Sequence, residues 1–229
     1  MTMDGRQSSA EGGASAALIG RLAADLQPVR PARPGRLFAL CLVVQLAVVS
    51  GFLALVGGRS DLAERLAEPA FSTVLAFLAV AAAWSGSIAI RLAVPGRAVS
   101  ERASWLLPVV PLALAGLVLI LNPFSATWPG LASAANGCLR CAGLTAAAAA
   151  VPWLVVLAAV SRLAPLNELR IGMFAGLSAF LVGAIVTELH CPASSGYHLA
   201  FGHYLPVVLF SALACVVAAA VIRVRPALR

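Results

Sequence analysis

An all-α membrane protein, a six-transmembrane-helix bundle with both termini cytoplasmic, is the fold this sequence predicts, on three observations. The chain is 61% hydrophobic and 11% charged with a mean hydropathy of +0.96, which leaves too little polar surface to coat a soluble globule of 229 residues. Six apolar stretches approach the roughly 20 residues a helix needs to cross a ~30 Å hydrocarbon core. The basic residues, all sixteen of them Arg, are shared unequally among the connections, which is the signature that orients a membrane chain.

Residues 1–36 read as a cytoplasmic N-terminal arm. Residues 1–14 are Gly- and Ser-rich and too poor in apolar content to order themselves. Ser15 then caps a short amphipathic helix over 15–27, in which Leu18, Ile19, Leu22 and Leu26 form one apolar stripe opposed by Arg21 and Asp25, and Pro28 stops it. Such a helix suits either the inner leaflet, lying in the interface, or a groove on a soluble partner. "PVRPARPG" makes a stiff basic spacer between that helix and the bilayer. Arg30, Arg33 and Arg36 precede an apolar run too long for a secretory signal and without a small-residue cleavage site, so the run is a first span.

The transmembrane domain occupies 37–222, with spans expected at 37–57, 71–90, 104–122, 143–160, 171–189 and 204–222, and a cytoplasmic tail at 223–229. Thirteen Arg fall in the arm, the second and fourth connections and the tail. Only Arg59, Arg65 and Arg140 fall in the other three connections, which therefore face outward. A net charge of +7 distributed this way signals topology and not a nucleic-acid-binding face. Within the spans the polar residues are Gln45, Ser85, Ser87, Thr145, Ser178 and Ser211, with Glu188 at the outer end of the fifth. The buried carboxylates or broken helices of an ion-coupled transporter are missing from that list. Gly172, Gly176, Gly183 and the Ala run 146–150 allow close helix packing. "RLAVP" at 91–95 and "RLAP" at 162–165 recur, but the match is too short to mark a duplication.

The chemistry gathers on the outer face. Cys138 and Cys141 form a C-x-x-C just before the fourth span, Cys191 follows the fifth, and the three histidines, His190, His198 and His203, lie in the same connection as Cys191. In a bacterial cell that face is the periplasm, where disulfides persist. Thiolates and imidazoles are the ligands of soft and borderline metals, so these six residues can assemble an N/S site. A structural disulfide between the two outer connections, with solvated interfacial histidines, is the competing reading. Ala142 follows the C-x-x-C where haem attachment needs His. Cys41 and Cys215 lie within spans and are expected to be inert packing residues. A thiol oxidoreductase passing electrons from Cys138 and Cys141 to a quinone is the enzymatic rival. It needs a second exchanging pair, and only Cys191 remains outside.

"LIGRLAADLQPVR" with its basic spacer, "GGRSDL" after the first span, "EPAF" opening the second and "RLAVPGR" closing it run in order along the chain. A Cys before the fourth span, "RLAP" after it and "LHCP" at 189–192 complete the series. Together they resemble the NrsF-type (negative regulator of sigma F) membrane anti-sigma factors from about Leu18 to Arg225. The resemblance implies a non-enzymatic protein of the bacterial inner membrane. Its cytoplasmic N-terminal region would hold an extracytoplasmic-function sigma factor, with Leu18, Ile19, Leu22 and Leu26 as the binding face. Its partners would be that sigma factor and the lipid bilayer, with no direct nucleic acid. It also implies release on a metal or oxidative signal sensed by two periplasmic cysteines. Carried over, these are Cys191 and Cys141, because Pro152 and Ala164-Pro165 then fall at the family's spacing. Cys138 is extra here, Ala193 stands where an acidic residue is common, and "GYHLAFGH" is richer in His. The sensing set is thus Cys141, Cys191, Cys138, His190, His198 and His203. No cofactor is obligatory; the expected ligands of a transient soft metal ion are Cys141, Cys191 and His190.

Overall fold

Long apolar runs without strand-type alternation wind into helices, and among the described residues there is no strand. The computed structural model describes residues 16–21, 23–24, 33–96, 99–100, 106–121, 131–163 and 167–224. The chain divides into two units, Met1–Ala32 and Arg33–Arg229. In the first, residues 16–21 are helical with Leu18 and Ile19 exposed. Ser15, Leu22, Leu26 and Pro28, which complete the expected amphipathic helix and its ends, lie outside the described residues.

The second unit runs α1 (Pro34–Val56), α2 (Leu62–Ala67), α3 (Pro69–Leu92), α4 (Val109–Leu121), α5 (Leu131–Val160), α6 (Glu168–His190), a short turn α7 (Gly196–His198), a π-helix (Leu199–Tyr204) and α8 (Leu205–Val224). Among the described residues, five helices are long and apolar enough to cross a membrane: Pro34–Val56, Pro69–Leu92, Ala135–Val160, Glu168–His190 and Gly196–Arg223. The expected third span, 104–122, is represented by α4, whose 13 residues are shorter than a crossing; 101–105 and 122–130 lie outside the described residues. Proline opens α1 and α3 at their first turns, where its missing N–H costs nothing. The Asn167 side chain caps α6 by accepting from Arg170 N at 3.0 Å.

The fourth span differs most from its expected bounds. Expected from residue 143, the helix begins at Leu131, because "LASAANGCLRCAG" is rich in strong helix formers and holds no proline. The C-x-x-C is therefore on a helix, not in a connection. Pro152 is carried inside the same helix.

Helix α6 is the centre of the bundle, with α3, α5 and α8 packed around it. Its small residues set the spacing. A Cβ at Gly172 would stand 2.8 Å from Ala218 Cβ, one at Gly176 2.9 Å from Ala214 Cβ, and one at Gly183 would run into the Thr145 backbone. Several polar side chains in the long helices pair internally. Gln45 Nε2 donates to Ser178 Oγ at 2.8 Å, and Ser178 Oγ donates to Ala82 O at 2.8 Å, linking α1, α6 and α3.

Candidate functional site

Cys138 and Cys141 stand three positions apart on α5, which puts both on one helical face. On α6 the chain reaches its last helical residue at His190, and Cys191 caps it with its N–H on Thr187 O at 2.8 Å before Pro192 forces the chain outward. Because α5 and α6 run antiparallel in contact, the two cysteines meet. Cys141 Sγ lies 3.5 Å from Cys191 Sγ. One turn deeper, Thr145 Oγ1 and Thr187 Oγ1 pair at 2.8 Å, and Thr187 also donates to Gly183 O at 3.0 Å.

The chain returning from Cys191 closes over the pair. His198 Nε2 lies 3.2 Å from Cys141 Sγ and 3.4 Å from Cys191 Sγ. His203, fully buried, turns Nδ1 to Glu188 Oε1 at 2.9 Å, while its Nε2 has no hydrogen-bond partner. One ligand atom from each of Cys141, Cys191, His198 and His203 lies within 4.8 Å of the other three, and these four residues could hold a metal ion. Gly202 permits the approach: a Cβ there would meet Cys138 Cα at 3.3 Å and His198 Nε2 at 3.5 Å. The Cys191 thiol is held well below its ordinary range. A hydrogen bond from the Cys141 thiol is the main cause, followed by the facing imidazoles and the backbone at Ala193, and together these outweigh burial.

The connection after α1 clamps this assembly from the side. Gly57, at φ 80°, presents its carbonyl to His190 Nδ1 at 2.7 Å, and Arg59 N donates to Leu189 O at 3.0 Å. The buried Arg59 guanidinium binds Asp61 at 2.6 and 2.9 Å and reaches Pro192 O at 3.4 Å. Asp61 is held down to about 2 chiefly by that hydrogen bond. "GGRSD" and "LHCP", far apart in sequence, are therefore one structural element.

Of the six residues assigned to sensing, four converge. Cys138 stands at the margin, its Sγ 4.0 Å from His198 Nδ1. His190, expected as the nitrogen ligand, is instead spent on Gly57 O because its position in the last turn of α6 points it at the first connection. His198 and His203 take the places facing the sulfurs. Cys41 and Cys215 lie elsewhere, Cys41 buried in α1 and Cys215 on α8 with Sγ donating to Leu169 O at 3.1 Å. Sequence reasoning missed the roles of Glu188 and Arg59. Glu188 carried a signal, as the one carboxylate at the end of an otherwise uncharged span; Arg59 carried only its place in "GGRSD".

The family model NrsF, described as negative regulator of sigma F, matches residues 22–224. No curated protein matches the chain, and no solved structure matches it.

Proposed function

The chain belongs to the negative regulator of sigma F family, and from that premise we propose that it is a membrane-embedded anti-sigma factor of the bacterial inner membrane. The arm, through Leu18, Ile19, Leu22 and Leu26, holds an extracytoplasmic-function sigma factor on the cytoplasmic side and releases it when thiol chemistry occurs outside. The observation that carries the sensing half is the 3.5 Å approach of Cys141, ten residues into α5, and Cys191, at the end of α6 packed against it.

A two-electron oxidant, itself reduced, would take two electrons and two protons from the pair to form an S–S bond of about 2.05 Å, drawing the sulfurs together. A soft metal would bridge them instead. Either event acts on α6, which the close contacts at Gly172, Gly176 and Gly183 couple to α8 and α5. Close-packed helices transmit a displacement at one end as a rigid shift and do not absorb it. The connection from Arg162 to Arg170, at the other end of both helices, is where that shift would reach the sigma factor. The role needs no catalytic step, consistent with a regulatory family.

The test is retention of the sigma factor by membranes. Inverted vesicles carrying the protein should pull down the sigma factor when reduced and release it after treatment with a membrane-permeant thiol oxidant. Cys141→Ser and Cys191→Ser should each bind and fail to release. Release that survives the double substitution would reduce the pair to a structural staple.

A further inference from the structure

Cys141, Cys191 and His198 have the spacing of three corners of a coordination polyhedron, and His203 lies within 4.8 Å of them. A tetrahedral ion with metal–sulfur bonds of about 2.3 Å and metal–nitrogen bonds of about 2.0 Å sets its sulfurs about 3.8 Å apart and its sulfur–nitrogen edges about 3.5 Å. The observed edges are 3.5 Å between the sulfurs and 3.2 and 3.4 Å from them to His198 Nε2. The fourth corner is His203. A carboxylate oxygen only accepts, so His203 Nδ1 carries the hydrogen and donates it to Glu188. Nε2 is then the ring atom left facing the sulfurs, fully buried and without a hydrogen-bond partner. A buried imidazole nitrogen without a partner, beside two thiols and a second imidazole, is an arrangement that a bound cation would satisfy. The carboxylate behind it is the usual outer-shell partner of a metal-bound histidine.

The backbone is shaped for the same end. His198 and His203 are five residues apart, and on an α-helix that places them about 140° from each other, on different faces. The intervening π-helix, Leu199–Tyr204, widens the turn and brings the two rings edge to face with centroids 5.3 Å apart.

The geometry points to a closed Cys2His2 site, formed by Cys141, Cys191, His198 and His203 with Glu188 orienting His203, for one divalent ion of the zinc class. All four corners come from protein, so the ion would hold structure and would not activate water. Binding leaves both sulfurs as thiolates, and any proton they carry is released to solvent. Its regulatory meaning, that an occupied site and an oxidised pair are mutually exclusive, rests on the function proposed above; binding itself does not.

Cobalt(II) tests the site, because tetrahedral thiolate coordination gives it visible d–d bands and a thiolate charge-transfer band. Full-length protein in detergent, reduced and stripped with a chelator, should take up one cobalt per chain with both signatures and lose it to zinc. His198→Ala, at the half-buried corner, and His203→Ala should each weaken binding at least 100-fold and change the d–d envelope. Glu188→Gln should weaken it roughly 10- to 100-fold. Cys41→Ser and Cys215→Ser should leave it unchanged. Absence of uptake by protein whose thiols titrate as reduced, or an unchanged spectrum and affinity in both histidine variants, would overturn the assignment. Sigma-factor retention measured on the same preparations separates the two ideas. Oxidant-dependent release without metal uptake sinks only the site, and metal uptake without sigma-factor retention sinks only the anti-sigma function.

Discussion

Replacing Gly183 by Ala places one methyl group where α5 and α6 touch. The added Cβ would run into the Thr145 backbone, with Thr145 C and Cγ2 both at 3.0 Å, closer than the 3.4 Å at which ordinary contact begins. Backbone cannot rotate out of the way as a side chain can, so the helices must part by on the order of 1 Å. Overpacking of this kind costs about 1–3 kcal/mol. The same separation strains the 2.8 Å Thr145–Thr187 hydrogen bond, worth about 0.6 kcal/mol between membrane helices. Gly143→Ala on α5, with open space at its Cβ, is the control: it adds the same methyl and gains up to about 1 kcal/mol of helix propensity. Thermal unfolding in detergent should therefore lower Tm for Gly183→Ala by roughly 2–12 °C, while Gly143→Ala holds or raises it. Because Gly183 lies two turns from Cys191, the oxidant-driven rate of Cys141–Cys191 disulfide formation should fall in Gly183→Ala and not in the control. Equal Tm and equal rates in the two variants would refute the view that α5 and α6 are held at backbone contact beneath the cysteines.

Leu22→Asp with Leu26→Asp should remove about 1.5–3 kcal/mol per buried side chain from sigma-factor binding and switch on the regulon without a stimulus; unchanged repression at normal protein levels would move the contact off the arm. Arg59→Ala should loosen "LHCP" and raise the alkylation rate of Cys191 in intact cells, and an unchanged rate would show that the clamp is dispensable. The Arg59–Asp61 pair lowers a carboxylate pKa, so its contribution is complete above the ordinary value of about 3.9 and is lost as pH falls through about 2. The Tm difference between the native chain and Asp61→Asn should accordingly be constant from pH 7 to 5 and close only in strong acid. A reporter active only in the periplasm should work when fused after Ser195 and fail after Arg229; the reverse would put the cysteines in a reducing compartment.

Composition and apolar run length made most of the helical architecture legible, because a helix that crosses lipid must satisfy its own backbone and cannot borrow structure from elsewhere. Helix ends were less legible. The fourth helix runs back to Leu131 since nothing in "LASAANGCLRCAG" stops it, so the C-x-x-C that looked like loop chemistry is a helical face. Cysteine and histidine content identified the right end of the molecule, yet the partners could not be chosen from spacing. Cys141, Cys191, His198 and His203 come from three segments, and their meeting depends on an antiparallel helix contact and a change of helical pitch that leave no local mark. His190 sits next to Cys191 in sequence and faces away from it in space, which adjacency alone cannot reveal.

The π-helix at Leu199–Tyr204 also has a bookkeeping consequence for the chain beyond it. Each residue of an α-helix advances the azimuth by about 100°, so removing one residue between His198 and His203 would turn everything that follows by that amount. Ala214 and Ala218, which sit against Gly176 and Gly172, would swing away from α6 if the histidines stayed in place; if α8 kept its seat, His198 would swing away instead. Site and bundle are thus out of phase by one residue, and the wide turn absorbs the difference. A chain with one residue fewer in this segment can keep the α6–α8 packing or the paired histidines, but not both.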